Sequence, residues 1–177
     1  MTEKIIVAGS GGQGIMLLGK VLAESAMAEG KFVTWLPAYG AEVRGGTSHC
    51  MIIVSDDEIG SPYIDKTDTL IIMNKPSLGR FSCRLKRGGR MIANSSLALP
   101  KDTGPGIIKY PFTDMAEGLG NVKVANMIAL GCYLRENKAI KMSTVLSVMK
   151  KMAPAGRGDL IEVNRKALDM GVNLKNG

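Results

Sequence analysis

Six residues near the start of the chain, Gly9-Ser10-Gly11-Gly12-Gln13-Gly14, have the composition of an anion site. The run before them, Ile5-Ile6-Val7-Ala8, is short and rich in β-branched residues, which reads as a buried strand. The run after them places Ile15, Leu18 and Leu22 on one helical face, with Ala26 extending it. The glycines therefore fall where a strand gives way to a helix. Glycine there permits positive φ and close approach of a ligand. The free N–H groups of the first helical turn and the positive end of the helix dipole favour a phosphate. Gly9, Gly11 and Gly14 satisfy G-x-G-x-x-G. A dinucleotide site also calls for an acidic residue about 20 positions further on. The next strand, Phe32-Val33-Thr34-Trp35-Leu36, ends instead in Pro37, and Glu42 comes later. A P-loop from Gly14 to Gly19-Lys20 fails because Val21 stands where a hydroxyl should hold magnesium. Two alternatives stay open at this point: an incomplete NAD site, and a tight packing turn that binds nothing.

A second glycine-rich stretch follows the second strand: Pro37-Ala38-Tyr39-Gly40-Ala41-Glu42-Val43-Arg44-Gly45-Gly46. It has no clean period and sets one acid and one base among three glycines, which reads as a loop in close contact with something. In a parallel sheet, loops at the strands' carboxyl ends gather where ligands bind, so this loop is expected beside the first. The remaining chemistry is sparse. His49, the single histidine, adjoins Cys50 in a strand-like run, and neighbours on a strand point to opposite faces. They cannot form a catalytic pair, and His49 reads as structural. Cys50, Cys83 and Cys132 are odd in number and far apart, with no C-x-x-C, so neither an iron–sulfur cluster nor a structural zinc is supported within this chain. No Ser-His-Asp order is present, and no constellation looks able to do chemistry alone.

At 177 residues the chain fits one domain, and its 45% hydrophobic content is that of a globular protein. A net charge of +7 favours anionic partners. The sequence lacks a zinc finger, a basic region with heptads and an aromatic-studded RNA-binding strand, which argues against nucleic acid. No run approaches a membrane span. Met1-Thr2-Glu3-Lys4 leads straight into the first strand, leaving no room for a signal peptide, so a cytoplasmic location is expected.

Strands alternate with helices throughout, which predicts a single three-layer α/β/α domain over residues 1–177 with a largely parallel or mixed sheet. Residues 4–8, 13–29 and 32–36 make a β-α-β unit with Gly30 as helix stop. Thr47–Val54 is a long strand, and Ser61-Pro62 is expected to open a helix. Thr69–Met73 is a strand, followed from Asn74-Lys75-Pro76 by a helix whose outer face carries Arg80, Arg84, Lys86 and Arg87 as a solvated surface. Gly88-Gly89 turns into strand Arg90–Asn94, residues 95–106 form a loop, and Ile107–Tyr110 is an edge strand. Thr113-Asp114 caps a short helix, and Asn121–Asn137 is a strongly apolar one in which Gly131 implies close packing. Ser143 and Asp159 cap the last two helices, with Gly171 as the final stop.

Taken together, Ala8-Gly9-Ser10-Gly11-Gly12-Gln13-Gly14 and Tyr39-Gly40-Ala41-Glu42-Val43-Arg44-Gly45-Gly46-Thr47-Ser48 resemble the gamma subunit of 2-oxoacid:ferredoxin oxidoreductases. Asn126-Met127-Ile128-Ala129-Leu130-Gly131 is similar to the same family, and the likeness covers essentially the whole chain. The resemblance implies a fold like domain III of pyruvate:ferredoxin oxidoreductase. It implies an enzyme only as a non-autonomous subunit, assembled with alpha, beta and, where one exists, delta subunits. Those partners would carry thiamine diphosphate, magnesium and iron–sulfur clusters, with ferredoxin as electron acceptor. In wording, Trp35–Gly46 looks most like the 2-oxoglutarate enzymes, with branched-chain 2-oxoacid enzymes close behind. Pyruvate enzymes tend to carry a double Arg and a Gly-Ala there, which this sequence lacks. The resemblance also implies coenzyme A on or near this chain, with its phosphate on Gly9, Ser10, Gly11, Gly12, Gln13 and Gly14. Gly45, Gly46, Thr47 and Ser48 would line the facing wall, Arg44 would neutralise phosphate charge, and Glu42 would orient Arg44 or meet a neighbouring subunit. No catalytic or metal-ligating residue is expected in this chain. A Met-rich, aromatic-poor composition gives adaptable contact surface, so the isolated chain is expected to self-associate.

Overall fold

The computed structural model describes residues 1–38, 47–101, 104, 106–153 and 158–175. Six strands and six α-helices appear in the order β1 (Thr2–Ser10), α1 (Ile15–Ala28), β2 (Phe32–Ala38), β3 (Thr47–Ser55), β4 (Thr67–Ile72), α2 (Lys75–Phe81), β5 (Leu85–Asn94), β6 (Ile107–Tyr110), α3 (Phe112–Gly118), α4 (Ala125–Glu136), α5 (Met142–Met152) and α6 (Gly158–Val172). They form one six-stranded sheet in the order β2-β3-β1-β4-β5-β6. The sheet is mixed: β3 runs antiparallel to both neighbours, while β1, β4, β5 and β6 are parallel. All nine residues of β1 are in register with β3, from Thr2↔Ser55 to Ser10↔Thr47.

Alternation along the central strands divides the core in two. Ile5 and Val7 of β1, with Cys50, Ile52 and Val54 of β3, face the layer made by α1, α3, α4, α5 and α6. Ile6 and Ala8, with Met51 and Ile53, face Ile64, Phe81 and Ala98. Among the described residues the second face is thinly covered: of the α-helices, only α2 lies on it, helped by segments around Ile64 and Ala98. The three layers expected from the sequence are present, but one outer layer is much lighter.

Local details follow from side-chain chemistry. Asn74 caps α2 by accepting the Ser77 N–H at 3.0 Å, as its position before Lys75-Pro76 predicts. Gly30, at φ 78°, ends α1 where the Lys31 N–H returns to the Ala26 carbonyl. Ser61-Pro62 opens no helix. Ile64 in that segment is fully buried against the second face, and Arg84 Nε donates to the Asp65 carbonyl at 3.0 Å, so the segment spans the sheet instead of coiling. Gly88-Gly89 lies within β5, where the register jumps from Thr67↔Leu85 to Thr69↔Arg90 and the intervening residues bulge out. Helix α3 begins at Phe112 after Pro111, because Thr113 is engaged with Asn94 and does not act as the cap. Neither α5 nor α6 starts at its expected cap: α5 follows Lys141 and α6 opens at Gly158.

Gly171 does not stop the last helix. It sits inside α6, where an added Cβ would strike the Ile128 carbonyl oxygen and come within 2.9 Å of the Gly131 Cα. A Cβ on Gly131 would in turn strike the Leu168 carbonyl oxygen. The two glycines let the backbones of α4 and α6 touch, which bears out close packing as the reason for Gly131.

We expect Gly171→Ala to lose about 1–3 kcal/mol in urea denaturation, because overpacking against backbone outweighs the better helix propensity of Ala. Gly79→Ala, on α2 with no atom within 4 Å of its added Cβ, should keep or raise stability by up to about 1 kcal/mol.

Candidate functional site

The carboxyl ends of β1, β4 and β6 lead into the first turns of α1, α2 and α3, the carboxyl end of β5 meets the start of α3 through Asn94, and the start of α4 joins them at Asn126. The glycine loop crosses this edge. Gly14 is the N-cap of α1 in the left-handed region, at φ 70° and ψ 25°, and supplies no side-chain cap. Gly12 is also left-handed, at φ 88°. The first N–H groups of α1 thus have no intrahelical acceptor and no capping side chain.

The six residues of the loop divide by role. A Cβ on Gly9 would lie 2.6 Å from Ile15 Cδ1 and 2.7 Å from Gln13 Oε1, and one on Gly14 would strike the Asn126 amide. Those two glycines exist for packing. A Cβ on Gly11 or Gly12 would meet nothing within 4 Å, so the middle of the loop opens to solvent. Gln13 shapes the loop from inside: its Oε1 accepts the Ser10 N–H at 2.8 Å, and its Nε2 donates to the Met73 carbonyl at 3.2 Å. The Gln13 N–H closes the turn on the Ser10 carbonyl at 3.2 Å.

Three asparagines form a floor beneath this loop, and sequence reasoning did not assign them to it. Asn74 is 8% exposed, Asn94 fully buried and Asn126 2% exposed. Asn74 Nδ2 donates to Ser10 Oγ. Asn94 Nδ2 donates to the Met73 carbonyl at 3.3 Å and to Thr113 Oγ1 at 2.8 Å, and its Oδ1 accepts the Thr113 N–H. Asn126 Nδ2 donates to the Gly14 carbonyl at 3.0 Å. Ser77 Oγ adds a bond to the Gly9 carbonyl at 3.3 Å. The sequence signal was available: Asn74 and Asn94 each close an apolar run, where a residue that serves both as cap and as turn former points to a strand ending beside a helix.

Thr47 and Ser48 lie beside the glycine loop, in register with Ser10 and Gly9. Thr47 Oγ1 accepts a hydrogen bond from Arg80 Nη1 at 2.6 Å. Ala38 and Thr47 both lie at this edge, since β2 pairs with β3 from Phe32↔Ser55 to Ala38↔His49. Glu42, Arg44, Gly45 and Gly46 fall outside the described residues.

The titratable groups here are not set for acid–base work. His49 stacks on Phe81 with ring centroids 4.7 Å apart, on the face opposite Cys50, as strand alternation requires. Burial first, then the guanidinium groups of Arg80 and Arg84, hold its imidazole below the ordinary histidine range. Burial pushes the thiols of Cys50 and Cys132 up to about 12. Among the described residues, no group of three or more His, Cys, Asp or Glu side chains could hold a metal ion.

Residues 4–174 match the pyruvate ferredoxin/flavodoxin oxidoreductase family. The chain belongs to that family. It is 34% identical over 96% of its length to the 2-oxoglutarate synthase subunit KorC of Archaeoglobus fulgidus, covering 86% of that subunit. It is 32% identical over 95% of its length to the ketoisovalerate oxidoreductase subunit VorA of Methanothermobacter thermautotrophicus. There it spans only about a third (35%) of the relative's length. The gamma subunit of the keto/oxoacid ferredoxin oxidoreductase from Geobacter sulfurreducens superposes with a TM-score of 0.79 at 29% identity, covering 96% of this chain and 95% of that one. The 2-oxoglutarate:ferredoxin oxidoreductase of Magnetococcus marinus, solved with 2-oxoglutarate, coenzyme A and succinyl-CoA bound, shares the fold. Its TM-score is 0.82 at 23% identity, over 97% of this chain and 30% of that one. The mixed α/β domain and the family resemblance read from the sequence are both confirmed. No described helix is long and apolar enough to cross a membrane.

Thiol labelling at pH 8 checks the electrostatics. Cys83 is exposed and Cys50 and Cys132 are buried. One thiol per folded chain should react promptly with a maleimide and two only after denaturation, because a thiol with a pKa near 12 is almost wholly protonated at that pH. Rapid labelling of all three would contradict the packing around β3 and α4.

Proposed function

We propose that this chain is the gamma subunit of a 2-oxoacid:ferredoxin oxidoreductase and that its glycine loop holds a phosphate of coenzyme A. The observation that carries the reading is the division of the loop. Gly11 and Gly12 face open space beside an uncapped helix start, while every other part of the loop is pinned from below. Backbone N–H groups fixed in that way bind an anion without first paying for their own ordering. Thr47 and Ser48, in register with Ser10 and Gly9 on the neighbouring strand, would flank the phosphate, and Arg44 would supply a charge for it.

The reaction is oxidative decarboxylation: a 2-oxo acid and coenzyme A give an acyl-CoA and carbon dioxide, and two electrons pass to ferredoxin. Thiamine diphosphate, magnesium and iron–sulfur clusters belong to the alpha, beta and, where present, delta subunits. This chain contributes position, since holding the coenzyme A thiol near the acyl group turns an encounter into an intramolecular step. The 2-oxo acid is 2-oxoglutarate, on the wording of Trp35–Gly46. A branched-chain substrate is the second reading, favoured by a ketoisovalerate relative nearly as similar as the 2-oxoglutarate one. Activity of the assembled complex with 2-oxoglutarate against 2-oxoisovalerate decides between them.

Two variants test the loop assignment in the reconstituted complex. Gly11→Val is the cleaner steric probe, because Gly12 has positive φ and any side chain there strains the backbone. Gly11→Val should sharply raise the coenzyme A concentration needed for turnover. Arg44→Ala should weaken coenzyme A by about 1.5–3 kcal/mol, the worth of a charge-assisted hydrogen bond. Cluster reduction by 2-oxo acid without coenzyme A should hold in both. Loss of cluster reduction with unchanged coenzyme A dependence would move the loop's role to subunit assembly or to the thiamine site.

A further inference from the structure

Strand β2 ends the sheet, and no strand among the described residues lies on its outer side. The backbone groups it offers there follow from β3. The Asp56 N–H donates to the Met1 carbonyl, one residue beyond the Thr2↔Ser55 pair. Even-numbered residues of β3 therefore bond to β1, and odd-numbered ones to β2. Through Phe32↔Ser55, Thr34↔Ile53 and Leu36↔Met51, the backbone groups of Phe32, Thr34 and Leu36 are used on β3. Those of Val33 and Trp35 point outward, with the carbonyl of Pro37. Pro37 fits this alternation, because a proline suits an edge strand where its missing N–H would face away from the sheet.

The stretch Phe32-Val33-Thr34-Trp35-Leu36 carries no charge, proline or glycine to discourage strand addition. Phe32 is 47% exposed, and the residues after it are half-buried. Val33 and Trp35 rest on the core beneath the helical layer, and Leu36 on the core of the opposite face. The Thr34 hydroxyl is enclosed and has no hydrogen-bond partner among the described residues.

The stretch is also self-complementary. Laid antiparallel on a copy of itself about a twofold axis through Thr34, it sets Val33 against the other copy's Trp35 on one face. On the opposite face it sets Phe32 against the other copy's Leu36, and Thr34 against Thr34. Aromatic–β-branched and Thr–Thr pairs are favoured cross-strand combinations. Each Val33 exchanges both backbone bonds with the opposing Trp35. The next pair outward, Pro37 with Lys31, ends the ladder: Pro37 has no N–H, and the Lys31 N–H is already given to the Ala26 carbonyl. A register shifted either way would set the Thr34 hydroxyl against Leu36 or Phe32. We infer that two copies of this chain join edge to edge through β2, in the register centred on Thr34, so that one sheet runs through both. The contact is isologous and closes at the dimer. It covers Phe32 and brings the other copy's hydroxyl across from that of Thr34.

Disulfide trapping in the full chain tests the register. A Cys83→Ser background removes the exposed native thiol. Opposed residues of a non-hydrogen-bonded antiparallel pair stand about 4.5 Å apart at Cα, a distance that a disulfide spans. Thr34→Cys should cross-link into a dimer under mild oxidation, in the isolated chain and in the assembled complex, while Phe32→Cys should not. Val33→Pro removes an N–H that the strand does not use on β3, and should weaken the dimer by roughly tenfold or more in sedimentation equilibrium. A chain that stays monomeric at high micromolar concentration overturns the inference. So does a dimer that Val33→Pro leaves unchanged, or one that Phe32→Cys traps as well as Thr34→Cys. Trapping in the isolated chain but not in the complex overturns it too, because a strand of another subunit would then hold the edge.

Discussion

A sheet whose strands end inside the protein leaves backbone carbonyls and N–H groups that no neighbouring strand can satisfy, and each would cost about 1–3 kcal/mol if left unpaired. The rest of this molecule's functional edge depends on how that constraint is met. The carbonyls of Gly9, Gly14 and Met73 all receive side-chain donors, from Ser77, Asn126 and from Gln13 with Asn94. Every one of these donors reaches up from below or from the side. The face of the loop that points away from the sheet is thereby left free while its backbone is held in place. Asn74 anchors the first turn of α2 in the same way, and Asn94 fixes the position of α3. One set of amides thus fixes the geometry of the loop and the helix starts around it.

Much of this was legible in the sequence. The apolar run Ile5–Ala8 and the glycines behind it located the loop, and the apolar pattern of residues 124–134 located the buried helix against it. Strand alternation correctly parted His49 from Cys50. What was hidden depended on distant partners. The antiparallel insertion of β3 between β2 and β1 carries no local signal, because a buried strand reads alike in either direction. Ser61-Pro62 looks like a helix start in isolation, yet Ile64 two residues on is needed by the sheet. Asn126 hid in an otherwise apolar helix, and its partner, the Gly14 carbonyl, is 112 residues away in sequence. The pattern also could not separate Gly9 and Gly14, which pack, from Gly11 and Gly12, which face open space.

The uneven coverage of the sheet separates a stabilising face from an open one. The face covered by α1 and α3–α6 carries most of the apolar core and stabilises the domain. Among the described residues the other face carries only α2 and two pinned segments, and it offers the positive side chains of Arg80 and Arg84. Arg80 is tied to Thr47, while Arg84 is folded onto Tyr63 and the Asp65 carbonyl. Arginines held in this way define a surface of fixed shape and charge, which favours the capture of one partner or ligand geometry over many.

The crossing of Gly131 and Gly171 has a bearing on how the chain is made. The α4 backbone is shaped to be met by a helix that leaves the ribosome some twenty residues after it. Until Val172 has emerged, the face of α4 that will receive α6 has no cover, and the nascent domain presents apolar surface to its surroundings. Chains that stop short of α6 would keep that surface permanently. Such fragments would be substrates for chaperones and proteases.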